Sequence, residues 1–460
     1  MLRECARISS EAALIAFMVF TTACKPSGRF SEISEANDFR RGVTELSSSI
    51  ITVGDGDILS DRCVQMVDRA TKFKQTKLMF VPTLFWVQTG EGPVDYYCYD
   101  RTYDNNGHVQ CPAATSDAIE PFRWAMQRCF QRAIDSNFSI ALSPHVDDGR
   151  GEGRWRNLLA FDPLEKRSGY SYADVVLYSL AEALRAVAKA ETKIYFGMQG
   201  EMSSTVFNYP QSWRRLIPDL RQRLTLRNAK PWNIHLGVNT NFNKICGCVG
   251  TDIIDPAEFV AKYPALWDQK KKEFDVTGIK DLYYELDYFG ISSYPSLKPG
   301  FDTSDIQNAI YQFDFELKLV HPELSVQKLL AAGKKLHLSE YGIGGGANQN
   351  GTVLANNAEE AAKYPFFGIF GAYRKATDPW HLYDAGTPYA PRDYMHYFYD
   401  KTLEFLRNDG QFEYTVDAAF LWNQGSWDIQ AIYPESMTWE GSFADPYVIQ
   451  KINEHNSRVL

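Results

Sequence analysis

Short apolar runs recur along this chain, each after an amphipathic stretch, and that alternation constrains the fold more than any other feature. "TKLMFVPTLFWV" (76–87) follows "SDRCVQMVDRATKF" (60–73), and "FSIALSPHVDDG" (138–149) follows "EPFRWAMQRCFQRAID" (120–135). "KIYFGM" (193–198) follows "VVLYSLAEALRAVAKA" (175–190), where Leu177, Leu180, Leu184 and Val187 step by three and four. Such steps put one apolar face on a helix, and Ser171 with Asp174 forms a capping-box pattern ahead of it. The series continues through "NIHLGVNT" (233–240), a strand inside "DLYYELDYFGISSYP" (281–295), "LHLSEYG" (336–342) and "AAFLWNQGSW" (418–427). An early strand near "RRGVTEL" (40–46) brings the count to eight. Strands alternating with helices imply a parallel sheet, and eight units predict an α/β fold of the closed (β/α)8 barrel type. The stretches 88–120 and 346–390 read as extended βα loops, since barrels of this kind reach above about 400 residues by insertion. Residues 31–460 are expected to form one domain. An open doubly wound sheet is the alternative, but no strand leads into a G-x-G-x-x-G turn.

In a closed barrel the C-terminal strand ends converge on one face, where active sites lie. Here those ends carry reactive or hydrogen-bonding side chains. They are Thr83, Phe85 and Trp86; His145 and Asp147; Gln199 and Glu201; Asn239 and Asn241; Ser292, Ser293 and Tyr294; Glu340 and Tyr341; and Trp422, Asn423 and Gln424. Two are glutamates in matching positions, on the fourth and seventh strands. One such Glu is ordinarily an N-cap or half of a salt bridge. Two at one mouth among aromatic rings suit cleavage of a glycosidic bond, which needs a carboxyl group on each side of that bond. A spacing of about 5–5.5 Å lets one serve as acid/base while the other attacks the anomeric carbon. The acid must hold a proton at working pH, which an apolar strand and a neighbouring negative charge favour.

These stretches resemble a known family. Glutamates ending strands four and seven are the pattern of clan A retaining glycoside hydrolases. The sequence looks most like glycoside hydrolase family 113, the β-mannanases, in "FVPTLFW" (80–86), "SPHVDDGRGEGRWR" (143–156), "FGMQGEM" (196–202), "LDYFGISSYPSL" (286–297) and "LHLSEYG" (336–342). The resemblance implies cleavage of a β-linked polysaccharide or oligosaccharide by double displacement, with β-1,4-mannan the first substrate to consider. It makes Glu201 the acid/base and Glu340 the nucleophile, sets Tyr294 near the nucleophile and puts Trp422 beneath the sugar, with no cofactor required. One position departs from the clan, where Asn usually precedes the acid/base and bonds the sugar 2-hydroxyl. Here that residue is Gly200. Contacts to that hydroxyl supply several kcal/mol in the transition state, so Gln199, His145 or Asn239 must compensate, and Trp86 joins them as a substrate contact. The alternatives are a non-catalytic carbohydrate-binding barrel, or a clan A hydrolase acting on another β-glycan.

Composition narrows the partners. With 45% hydrophobic and 23% charged residues the chain is of the globular class. Its net charge of -9 and pI near 5.5 argue against nucleic acid. Aromatic residues at 14% suit a large core or a cleft of flat rings for sugars. A monomer is expected. "AALIAFMVF" (12–20), too short to span a bilayer, fits the apolar part of an export signal within residues 1–30. "TTAC" then places Cys24 where a bacterial lipoprotein is cleaved and lipidated, the one expected membrane attachment. Six further cysteines fit an exported chain, and Cys98 with Cys111 brackets a turn-rich loop as the favoured bridge. Cys246 and Cys248 read as structural, since no second Cys/His pair has zinc spacing. His145-x-Asp147-Asp148 could in principle ligate a metal, but the pattern favours a hydrogen-bonding role for His145, and no metal is expected. The tyrosines of "YYCYDRTY" (96–103) either stack on sugars at outer subsites or pack as a satellite cluster.

Overall fold

Strands form where Val, Ile, Phe and Tyr cluster, and here they close a ring. The computed structural model describes residues 43–90, 93–225, 230–242, 244–248, 256–295, 297, 300–342, 391–407, 414–422 and 445–459. The export segment with Cys24, the loop 346–390, Asn423 and Gln424 lie outside the described residues. The strands are β1 Leu46–Val53, β2 Lys77–Val87, β3 Tyr96–Cys98, β4 Thr102–Tyr103, β5 Val109–Gln110, β6 Ser139–Leu142 and β7 His145–Asp148. There follow β8 Ile194–Gly200, β9 Ile234–Asn241, β10 Tyr288–Ser293, β11 Lys335–Tyr341 and β12 Val416–Leu421. Parallel pairing runs β1–β2–β6–β8–β9–β10–β11–β12, and β12 pairs back onto β1. The expected (β/α)8 barrel is what the chain forms. Its third strand comes in two pieces, β6 and β7, both paired with β2. They are separated by Ser143 and Pro144, and Pro has no N–H for a ladder.

The first strand lies a few residues later than expected, at Leu46–Val53 rather than near 40–46. Its sequence LSSSIITV has three serines after Leu46, which break up the apolar run. Ser49 faces its neighbour and donates from Oγ to the Leu421 carbonyl at 2.6 Å.

Period-two alternation divides the core. Met79, Val81, Ala141, Tyr195, Tyr288, Ala418, Phe420 and Trp422 fill the barrel. Leu78, Phe80, Leu84 and Trp86 of β2 point outward, into the layer shared with the surrounding helices. Helices 62–70, 116–135, 179–187, 210–225, 276–285, 303–320, 391–407 and 446–459 belong to that layer. The Ser171–Asp174 box is present, with Ser171 N–H donating to Asp174 and Asp174 N–H to Ser171 Oγ. The last helix clamps the first strand: Asn456 accepts from the Leu46 N–H at 3.0 Å and donates to the Leu46 carbonyl at 2.9 Å. Cys98 bonds Cys111 as expected, Cys63 bonds Cys129 between helices 62–70 and 116–135, and Cys246 bonds Cys248. Tyr97 and Tyr99 are buried in the outer core, so this part of the tyrosine loop packs rather than lining the mouth.

Candidate active site

Glu201 follows β8 on a turn that few L-residues accept. Its φ is +58°, in the left-handed region. Three bonds hold the turn: the Glu201 N–H donates to the Asn239 carbonyl, the Met202 N–H to Gln199 Oε1, and the Ser203 N–H to Asn157 Oδ1. Gln199 is therefore a brace beneath the turn. Held this way, Glu201 is 8% exposed and both its oxygens accept hydrogen bonds. Asn241 Nδ2 donates to Oε1 at 2.6 Å, and Arg156 Nη1 donates to Oε2 at 2.7 Å. Arg156 is itself fixed by Asp147 Oδ1, at 3.0 Å from Nε and 2.6 Å from Nη2.

Glu340 sits near the end of β11, 2% exposed. Tyr294 donates its O–H to Oε2 at 2.9 Å. His145 Nε2 stands 2.9 Å from Oε1. The angles there fall outside a hydrogen bond, so both atoms keep an unused bonding position. The His145 ring lies on Trp422, with centroids 5.9 Å apart and planes 26° from parallel. It also occupies the space beside Gly200, where an added Cβ would fall 2.6 Å from His145 Nε2. His145 thus stands between Gly200 of β8 and the acid of β11.

Burial governs the protonation of this cluster. It raises Glu201, and the charge of Glu340 raises it further, against the pull of Arg156, His145 and Asn241. Burial pushes Glu340 up to about 7, although Arg156 and the Tyr294 bond act the other way. His145 falls to about 3, through burial and the Arg156 charge, and is neutral at ordinary pH. The arrangement can hold one proton between two carboxyl groups, with a neutral imidazole beside Glu340.

Of the residues singled out in the sequence, Glu201, Glu340, His145, Tyr294 and Trp422 come together at one end of the barrel. Trp86 does not join them. It is 1% exposed in the outer core, because the inward positions of β2 fall on Met79, Val81 and Thr83. Asn239 shares the inward face of β9 with Asn241 but lies one layer deeper, donating to the Leu142 carbonyl at 3.3 Å and fully buried. Gln199 is fully buried as well. His145 is thus the candidate left beside Gly200. Asn241, placed at the end of its strand by the sequence but not among the expected substrate contacts, touches Glu201, as does Arg156, which the sequence did not single out. The period of the strand, two residues on from Asn239, is the signal that turns Asn241 to the same inward face. Arg156 ends the stretch "SPHVDDGRGEGRWR", but no local pattern says which carboxylate it reaches.

No family model and no curated protein matches the chain. Solved structures similar to it include a GH113 β-1,4-mannanase in complex, 11% identical with a TM-score of 0.44, the match covering 90% of this chain and 99% of that one. Another is the GH113 β-mannanase of Alicyclobacillus acidocaldarius in complex with ManMIm, 12% identical with a TM-score of 0.46, covering 92% and 100%. A GH10 endoxylanase from a sugarcane soil metagenome is 10% identical with a TM-score of 0.40, covering 91% and 98%. The first two belong to the family that the sequence motifs resemble. At such identities and scores the likeness carries no argument about chemistry, and the barrel rests on its own strand pairing.

Proposed function

We propose that this chain is a retaining glycoside hydrolase that cleaves β-linked polysaccharide or oligosaccharide, with β-1,4-mannan the first substrate to test. One observation carries the reading: two buried carboxyl groups, Glu201 and Glu340, end the fourth and seventh barrel strands and are coupled by burial and charge. In the proposed reaction Glu340 attacks C1 while Glu201 gives its proton to the leaving oxygen. Glu201 then takes a proton from water as that water releases the sugar from Glu340. Tyr294 donates to the Glu340 carboxylate and orients it. Neutral His145 sets Nε2 beside Gly200 and 2.9 Å from Glu340 Oε1, where it can bond the hydroxyl that an Asn side chain serves in the clan. Trp422, stacked on His145, would lie under the sugar. Export through residues 1–30, with a lipid on Cys24, belongs to the same proposal.

The test is product analysis on β-mannan, β-glucan and β-xylan with wild type, Glu340→Gln and Glu201→Gln. Glu340→Gln should abolish cleavage, and Glu201→Gln should slow it by about 10²–10⁴-fold. A 2-deoxy-2-fluoro aryl glycoside should leave its sugar covalently on the peptide containing Glu340. Wild type that binds these glycans and cleaves none would refute the enzymatic reading, and full activity in Glu340→Gln would refute the mechanism.

A further inference from the structure

The bonds around Glu201 contain a feature that the proposed reaction does not use. Oε2 accepts from Arg156 Nη1 at 2.7 Å. A guanidinium donates only and keeps its charge in proteins. Burial works against that charge here, yet Asp147, Glu201 and Glu340 outweigh it. The Arg156 side chain is 17% exposed, and its Nε and Nη2 are both occupied by Asp147 Oδ1, so Nη1 has one direction to point. A proton on Oε2 would meet an N–H that cannot accept it. The other oxygen faces a different kind of partner. Asn241 Nδ2 donates to Oε1 at 2.6 Å, while Asn241 Oδ1 is buried with no partner among the described residues. An amide presents a donor on one side and an acceptor on the other. A half-turn of Asn241 therefore exchanges a donor suited to ionised Glu201 for an acceptor suited to protonated Glu201.

We propose that Arg156, clamped by Asp147, is a positioning residue that confines the working proton of Glu201 to Oε1, with Asn241 turning between the two protonation states. The inference rests on Glu201 being the acid/base of the proposed reaction. Arg156 directs the proton to the oxygen opposite it during the first half-reaction. In the second half-reaction it stabilises the carboxylate that must take a proton from water. The charged and titratable groups around Glu201 are Arg156 and Asp147 from the loop and strand of β7, His145 of β7, Glu340 of β11 and Tyr294 after β10. Of these, Arg156 is the one cation in direct contact with it among the described residues.

The test compares pH profiles of kcat/KM for wild type, Arg156→Gln, Arg156→Lys, Asp147→Asn and Asn241→Ala. The probe is whichever of β-mannan, β-glucan and β-xylan wild type cleaves fastest, since an unactivated leaving group needs the acid. Removing the cation in Arg156→Gln should move the alkaline limb up by at least about one pH unit. Asp147→Asn leaves the Arg156 charge uncompensated and should move that limb down, by up to about one unit. Arg156→Lys keeps the charge and should return the limb near its wild-type position while kcat stays low, because the two-point clamp is gone. Asn241→Ala should lower kcat and move the limb up by less than Arg156→Gln does, since it removes a hydrogen bond and leaves the Arg156 charge in place. A pair whose charge does not act on Glu201 predicts no opposed shifts, so limbs that stay put or move together in Arg156→Gln and Asp147→Asn would overturn the proposal. If Arg156→Gln does not fold, the direction of the Asp147→Asn shift decides alone. Glu201→Ala separates this inference from the reading beneath it. If Glu201→Ala keeps wild-type turnover on the polysaccharide, the acid/base assignment itself falls. If Glu201→Ala is inactive there yet cleaves a 2,4-dinitrophenyl β-glycoside of the same sugar, the assignment stands and only the Arg156 role is at issue.

Discussion

A Cβ on Gly200 would meet Ser143 Oγ at 2.4 Å and the His145 ring at 2.5 and 2.6 Å. His145 cannot move aside easily, since Trp422 covers one face and Glu340 stands at its Nε2. The missing side chain at position 200 is thus an exchange, in which an imidazole from the third strand fills space that a residue on the fourth would use. Overpacking a tight site costs about 1–3 kcal/mol. Gly200→Asn should therefore lose that much stability in thermal or denaturant unfolding and fall at least 100-fold in turnover. Adding His145→Gly should restore most of the stability, because the pair share one volume and their effects do not add. A Gly200→Asn single variant as stable as wild type would show that the site has more room than these distances allow.

Each element offers one face to the barrel or helix layer, and errors in reading it come from elements apolar on both faces. β2, KLMFVPTLFWV, is buried from Leu78 to Val87, so its composition cannot say which residues turn inward. Trp86 was misplaced for that reason. The helix 303–320 carried a readable start signal, the Asp302–Asp305 capping box, yet its long apolar and aromatic surface blurs the period. The helix 446–459 matters for a bond that no period encodes. Its Asn456 satisfies both the N–H and the carbonyl of Leu46, at the seam where β1 meets β12. Asn456 is fully buried, so water does not replace it there. Asn456→Ala should cost about 2–4 kcal/mol, the penalty for two unsatisfied buried backbone groups. Urea unfolding measures it, and a loss below about 0.5 kcal/mol would place the strength of the seam elsewhere.

Across the whole molecule, the site is kept at the expense of stability. Glu340 has its folded pKa raised from 4.5 to about 7 by burial, so the native state binds this proton more tightly than the unfolded chain does. Its stabilising contribution is complete below the unfolded value and is lost as the pH rises through about 7. A shift of that size corresponds to up to about 3 kcal/mol. Glu340→Gln, which cannot ionise, should thus be more stable than wild type at pH 8, and the difference should shrink toward pH 4. Calorimetric melting at both values checks this, and an equal or lower melting temperature for the variant at pH 8 would contradict it. His145, held near 3 by burial and Arg156, stays neutral in the native state while the unfolded chain takes up its proton below about 6.5, a loss of stability toward acid that wild type and Glu340→Gln share.

The sequence by itself determined the barrel, the order of its strands and which two glutamates end the fourth and seventh. Those features follow from local periods of two and 3.6 residues and from counting repeated units, both of which survive in one dimension. The pairing of Cys98 with Cys111 was readable for the same reason, since a short loop brings its own ends together. Only the tertiary structure decided that Trp86 faces outward, that the side chain of Asn241 rather than that of Asn239 reaches the Glu201 carboxylate, and that His145 takes the space beside Gly200. It also brought Arg156, 45 residues before Glu201 in the chain, to one oxygen of that carboxylate. Closing the ring sets layer heights and side-chain directions from strands far apart in sequence. The contacts of a buried carboxyl group, and so its proton, are properties of that closure.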